Sequence, residues 1–259
     1  EWMPIRVFTR QANGRFEETT GQFFERPLPG LWNCLLAADL DGDGDTDLVG
    51  GNLGLNSQLR ASDQEPATLV YKDFDGNGSI DPILCFYNQG KSYPFLTRDE
   101  LLEQITAMRP RFRSYEQYAS ATLSDIFTAE ELAGADTLRA EQLATTFFEN
   151  RGGRFIEQAL PGEAQFAPVF VAMSADFLPG GSPELLLAGN LDGARLRFGC
   201  YDANRAPVFE WHGGRWHLAD YPFNVTGDVR SGVTLNTGKS LKSYVLGVNN
   251  APLRIYRWK

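Results

Sequence analysis

Aspartate occupies every second position from 39 to 47 in the segment DLDGDGDTDLV: Asp39, Asp41, Asp43, Asp45 and Asp47. Unpaired carboxylates set this close repel one another even in water, and each costs more as its surroundings dry out. A cation held among them removes that cost. Gly42 and Gly44 let the backbone curl tightly enough for alternate side chains to converge on one centre. Such a shell of hard oxygens suits calcium, which accepts six to eight oxygen ligands in a flexible arrangement.

A second stretch repeats the spacing. KDFDGNGSIDPIL, residues 72–84, sets Asp73, Asp75, Asn77 and Asp81 in register with Asp39, Asp41, Asp43 and Asp47, and Gly78 with Gly44. An EF-hand would require a bidentate acid at the twelfth loop position and a helix on either side. Here the twelfth positions are Gly50 and Leu84, and the flanks LLAADL, DLVGG, TLVYKDF and DPILCF read as strands. The loops therefore predict metal-binding hairpins rather than helix–loop–helix units.

Later counterparts lose the ligands. ADFLPGGSPELLL, residues 175–187, keeps Asp176 and Glu184 at the first and last positions but has Leu178 and Gly180 between them. Pro179, Gly180 and Gly181 supply a turn that needs no ion. TLNTGKSLKSYVL, residues 234–246, carries Lys239 and Lys242 and no acid at all, so no cation belongs there.

The elements that position these loops follow from two recurring units. One is a strand, a turn of small residues ending in Arg-aromatic, and another strand, as in VFTRQANGRFEE (7–18), TFFENRGGRFIEQ (146–158) and VFEWHGGRWHLA (208–219). The other is a short aliphatic strand closing on Gly or Asn, as in TDLVGGNLG (46–54), PELLLAGNLDG (183–193) and SYVLGVNNAP (243–252). Their alternation predicts an all-β fold: a single domain over residues 1–259, a β-propeller of about four to five four-stranded blades. Between Thr97 and Gly134 the period becomes helical. Thr97 with Glu100 forms a capping box, Leu101, Leu102, Ile105 and Met108 share one face, and Thr128 with Glu131 caps a last turn. A helical insertion at 97–134 is expected, acting as a lid on the sheet edge or barrel side or as a partner-binding surface.

A nine-residue D-x-D-x-D/N-G-x-x-D loop between two strands resembles the calcium loop of FG-GAP and VCBS repeats, the units of integrin α-chain propellers. GLWNCLLAADLDGDGDTDLVGGNLGLNSQ, KDFDGNGSIDPILCFYNQGKSYP and AQFAPV are similar to the C-terminal portion of large exported proteins of the cartilage-acidic-protein and ASPIC/UnbV group. The resemblance implies two calcium sites. Side chains of Asp39, Asp41, Asp43 and Asp47 with the carbonyl of Asp45 would hold one ion, and Asp73, Asp75, Asn77 and Asp81 with the carbonyl of Ser79 the other. It also implies an exported protein that binds proteins or glycans, since relatives of that kind scaffold and adhere.

Composition narrows the partners. The net charge of −9 disfavours nucleic acid and anionic membrane surfaces, and no run of eighteen apolar residues is present to insert in a bilayer. Cys34, Cys85 and Cys200 are isolated and predict buried thiols rather than disulfides. The chain opens in what reads as an outer strand with no signal peptide before it, as a portion of a longer precursor would. That mismatch predicts that the N-terminal hairpin completes the C-terminal sheet. An enzyme finds little support: there is no G-x-S-x-G, no P-loop and no H-E-x-x-H, and the two histidines, His212 and His217, flank a Gly-Gly turn. Asn52, Asn190 and Asn249 follow inner strands and would cap them, or line a rim for a polar ligand. A carbohydrate-active enzyme on the same scaffold is the alternative.

Overall fold

The computed structural model describes residues 2–178, 183–220, 223–236 and 242–258. The turn at Pro179–Gly181 and Lys239 lie outside the described residues, and no closed ring of sheets is formed among those described. What is formed is a series of two- to four-stranded antiparallel sheets with short helices at one side.

The chain begins with β1 (Trp2–Pro4), then β2 (Phe8–Arg10) and β3 (Phe16–Glu18), which pair with each other around a small-residue turn. A short helix, α1 (Thr20–Phe23), leads to β4 (Pro29–Leu31), the partner of β1. Next come β5 (Cys34–Ala38) and β6 (Asp47–Gly51), joined by the first aspartate loop. Every residue of β6 is buried, because Val49 faces one core with Phe147 while Leu48 faces another with Trp32 and Phe148. At the end of β6 glycine is required by space. A Cβ on Gly51 would stand 2.7 Å from the Val169 carbonyl oxygen, and one on Gly50 2.8 Å from the Trp32 ring.

Here the chain leaves its sheet. Residues 52–145 form an insertion with its own sheet, built from β7 (Ala67–Lys72), β8 (Asp81–Asn88), β9 (Lys91–Pro94) and, after the helices, β10 (Asp136–Ala140), in the order β10-β7-β8-β9. The helical stretch read from sequence is thus an insertion within a larger one. It holds α2 (Arg98–Gln104), α3 (Tyr115–Ala119), α4 (Leu123–Ile126) and α5 (Ala129–Leu132). Both capping boxes foreseen, at Thr97/Glu100 and Thr128/Glu131, are formed, and Ser114/Gln117 and Thr122/Asp125 add two more. These helices are too short to hold themselves, so tertiary burial must do it. Leu101, Leu102, Ile105, Met108, Phe112 and Ile126 supply it against Ile83 and Cys85 of β8, and the segment lids one face of that sheet. Arg111 forks onto Glu131 and reaches the Ile126 carbonyl.

The interrupted sheet resumes with β11 (Thr146–Arg151) and β12 (Arg154–Ala159), giving the order β5-β6-β11-β12. A second four-stranded meander follows: β13 (Val169–Ala175), β14 (Glu184–Gly189), β15 (Val208–His212) and β16 (Arg215–Leu218). The chain ends in a three-stranded one, β17 (Val229–Asn236), β18 (Lys242–Val248) and β19 (Arg254–Trp258). The first strands of the three stack side by side, β13 packing on β5 and on β17. Two apolar cores fill the gaps between sheets. One joins Val49 and Phe147 to Leu185, Leu187 and Phe209; the other joins Val171, Leu186 and Val208 to Tyr244 and Leu246.

Two expectations need correction. The N-terminal hairpin does not complete the C-terminal sheet: β2 and β3 pair with one another, and β19 pairs with β18. Ile5 and Val7 pack instead with Phe24, Leu28 and Phe148 on the far face of the β5-β6-β11-β12 sheet, where an apolar surface was otherwise open. Cys85 is buried and Cys34 half-buried, but Cys200 is exposed beside Asp192, 3.6 Å away. It follows the single 3-10 turn Leu196–Phe198 and the exposed Gly199 rather than a strand.

Candidate metal centre

Each aspartate loop is a hairpin connection whose last acid is the first residue or so of the returning strand: Asp47 in β6, Asp81 in β8 and, in the loop without middle ligands, Glu184 in β14. In all three that acid turns back to the backbone amide seven residues earlier. Leu40 N–H donates to Asp47 Oδ2 at 3.0 Å, Phe74 N–H to Asp81 Oδ2 at 3.0 Å, and Phe177 N–H to Glu184 Oε2 at 2.6 Å. The residue donating is apolar each time and fully or partly buried, so the acid pins a core side chain at the mouth of the turn. That role needs no ion, which explains why the third loop keeps its acid after losing the middle ligands.

The first two loops do more. Asp39 accepts from Gly42 N–H at 2.9 Å and Gly44 N–H at 3.1 Å, and Asp43 accepts from Asp45 N–H at 2.8 Å. Asp73 accepts from Asn77 N–H at 3.0 Å and Gly78 N–H at 2.9 Å, and Asn77 Oδ1 from Ser79 N–H at 2.7 Å. These bonds wind each loop around its own carboxylates, and the winding demands positive φ at matched glycines, 84° and 95° at Gly42 and Gly44, 72° and 86° at Gly76 and Gly78. A side chain at these four positions would strain the backbone.

The winding brings Asp39, Asp41 and Asp43 together, with one carboxylate oxygen from each within 4.8 Å of the others, and does the same for Asp73, Asp75 and Asp81. Either cluster can hold a metal ion. The two trios differ. Asp47 is not in the first trio, and its other oxygen accepts from Asn150 N–H of β11 at 2.8 Å, whereas Asp81 is in the second. Asp45 is exposed, and its amide, like that of Ser79, serves to close the turn.

Burial and mutual repulsion act on the same carboxyls. Burial, more than any other cause, raises the pKa of Asp41, Asp47 and Asp81. Asp43 and Asp47 push Asp41 further, Asp43 and Asp39 push Asp47, and Asp75 and Asp73 push Asp81, while backbone N–H donors partly offset the rise. In metal-free protein the ionised Asp41 therefore opposes folding. The stability of its protonated form is complete below the unfolded value, about 3.9, and is lost as pH rises through the higher folded value. In EDTA near neutral pH, Asp41→Asn should melt at a higher temperature than the parent, with the gain vanishing as pH falls below about 4. In excess calcium the same substitution should lower the melting temperature. Parallel melts across pH, with and without calcium, check both signs.

Sequence reading missed the support that β11 lends to the first loop. Asn150 donates from its amide to Asp47 and from Nδ2 to the Thr46 carbonyl at 3.1 Å, and Arg151, held by Glu149 at 2.7 Å, is close enough to Asp41 to feel its charge. The partners lie 103 and 104 residues apart, and no local pattern marks them. Asn52 and Asn190 are caps: each is fully buried, Asn52 Nδ2 donating to the Gln142 carbonyl and Asn190 Nδ2 to those of Asn204 and Gly227. Asn249 is exposed and joins neither. Compared with known proteins, the chain matches no family profile, no curated protein and no solved structure.

Proposed function

We propose that the protein is a calcium-stabilised β module of an exported protein, acting by binding or scaffolding a protein or glycan. One observation carries this reading: two all-oxygen carboxylate clusters in loops of one repeated sequence pattern, each wound inside a tight hairpin loop by its own amides. Oxygen-only ligands and a curled, adaptable loop favour calcium over transition metals, and over magnesium, which resists dehydration. Bound ions would neutralise the carboxylates and tie β5 to β6 and β7 to β8, leaving outer hairpins and the helical lid free to meet a partner.

The same reading takes the stacked meanders as blades of an FG-GAP or VCBS-type propeller. Supporting it are the side-by-side first strands β5, β13 and β17 and the recurrence of the acid-to-amide pin at one place in three sheets. Export accords with calcium, abundant outside cells. An acid–arginine group beside β14 and β17 invites the enzyme alternative, but its members are engaged with one another. Asp228 accepts from Asp192 N–H and from Arg230, and Arg230 also donates to the Asn190 carbonyl and lies over the Phe170 ring at 3.9 Å.

Calorimetric titration tests the metal assignment. The parent should bind two calcium ions, and Asp41→Ala and Asp75→Ala one each, because each change removes a member of a trio. Asp176→Ala should still bind two, since Leu178 stands where a ligand would be. A parent that takes up no calcium after chelation and dialysis would defeat the reading. The calcium-loaded module should then be screened against glycan arrays and extracellular proteins, where retention by a defined glycan or protein class would identify the partner.

A further inference from the structure

The last meander is one strand short, and its charge is opposite in sign to that of the chain. The β10-β7-β8-β9, β5-β6-β11-β12 and β13-β14-β15-β16 sheets have four strands each, whereas β17-β18-β19 has three, and among the described residues β19 pairs with β18 alone. Alternate residues of β19 therefore turn an N–H and a C=O away from the sheet, and no other backbone hydrogen bond reaches residues 254–258 among those described. Residues 227–259 hold six Lys and Arg against one acid, Asp228, although the whole chain has a net charge of −9. Arg230 takes up Asp228 at 3.0 Å, while Arg254 and Arg257 on the open strand are exposed, with no carboxylate paired to either among the described residues. Val233, Val245 and Ile255 stand in one row across the three strands, on the face turned away from the buried Tyr244 and Leu246. Val233 is 49% exposed and Ile255 55%, so the row ends at the open edge uncovered.

We propose that β19 takes up an extended segment of a partner protein as a fourth strand, and that this segment reads acid-apolar-apolar-acid. A strand laid beside β19 places one residue opposite each of Arg254, Ile255, Tyr256 and Arg257. Acids opposite the two arginines neutralise them, since opposite charges directly across strands attract. An apolar residue opposite Ile255 lengthens the row of Val233 and Val245. Its neighbour falls opposite Tyr256 on the other face, where the ring meets Phe223 edge to face at 4.8 Å. The pattern is the same read in either direction, so it suits a parallel or an antiparallel strand. Main-chain hydrogen bonds supply the affinity of such an added strand and the alternate side chains its selectivity. A second copy is a poorer occupant, because β19 set against β19 doubles the same unpaired positive charge. The inference gives the binding role proposed above a partner class and rests on that role, though not on calcium.

The experiment is an NMR titration of the calcium-saturated protein with the end-blocked peptide Thr-Thr-Glu-Val-Val-Glu-Thr-Thr. Amides of β19 should shift, salt should weaken binding, and the peptide with Lys in place of Glu should not bind. Arg254→Gln and Arg257→Gln should each weaken binding about two- to fivefold, and Arg254→Glu combined with Arg257→Glu should transfer binding to the lysine peptide. N-methylation of one alternate set of peptide residues should abolish binding and that of the other set should not, because only every second N–H of an added strand faces β19. An absence of shifts in β19, or undiminished binding of both N-methylated peptides, would overturn the proposal. So would a heparin fragment that binds at β19 as tightly as the peptide, since the edge would then attract any polyanion. Retention of another protein or glycan by a module that ignores the peptide would remove this inference and leave the broader binding role standing.

Discussion

Stripping calcium from the protein should lower its stability by about 2.7 kcal/mol for each site that had been held at a hundred times its dissociation constant, or about 5 kcal/mol for two. Ions would bind the folded loops and hardly bind the unfolded chain, because convergence of Asp39, Asp41 and Asp43 depends on amides of Gly42, Gly44 and Asp45 arranged by the turn. The same holds for Asp73, Asp75 and Asp81. Differential scanning calorimetry after exhaustive chelation should show a melting temperature that calcium restores and magnesium restores less fully. A drop of several kcal/mol is a large share of the total stability of a domain, so the chelated protein should also be more readily cleaved by protease. Identical melts with chelator and with calcium would remove the metal from the account of stability.

Phe147→Ala should cost about 3–5 kcal/mol, through lost transfer energy and the cavity left behind. The ring is fully buried in the core between the first two meanders. It meets Trp211 edge to face at 5.3 Å and Trp216 at 5.4 Å, so its loss loosens β11 from the β15–β16 hairpin. Because the sheets join through this core, the cost should appear as a lower urea midpoint for the whole cooperative transition. Phe16→Ala is the control. That ring is 66% exposed on the N-terminal hairpin, and its removal should stay within about 0.5 kcal/mol. Equal effects of the two would mean that the β5-β6-β11-β12 and β13-β14-β15-β16 sheets do not share a core in solution.

Both predictions show what was legible in the residues and what was not. The aspartate loops could be read directly, because the donors that wind them lie two to five residues from their acceptors, as Asp45 to Asp43 and Gly44 to Asp39 do. Interactions that local depend on little beyond spacing and a glycine able to take positive φ. The capping boxes at Thr97 and Thr128 were legible for the same reason, each closing over three residues. The alternation of hairpins and aliphatic strands likewise marked which segments are strands, since strand faces repeat every second residue.

Which strands share a sheet was decided by tertiary structure. β6 pairs with β11 across the whole of residues 52–145, and loop-closure cost grows too slowly with length for a long insertion to leave a trace in local pattern. The N-terminal hairpin could by its own pattern have joined any open edge. Ile5 and Val7, leading into it, pack where Phe24, Leu28 and Phe148 offer apolar cover, and among the described residues β19 pairs with β18 alone. The first aspartate loop divides the same way. Asp39, Asp41 and Asp43 converge by local turns, but Asp47, outside that trio, accepts from the Asn150 amide, a donor placed there only once β11 has docked on β6.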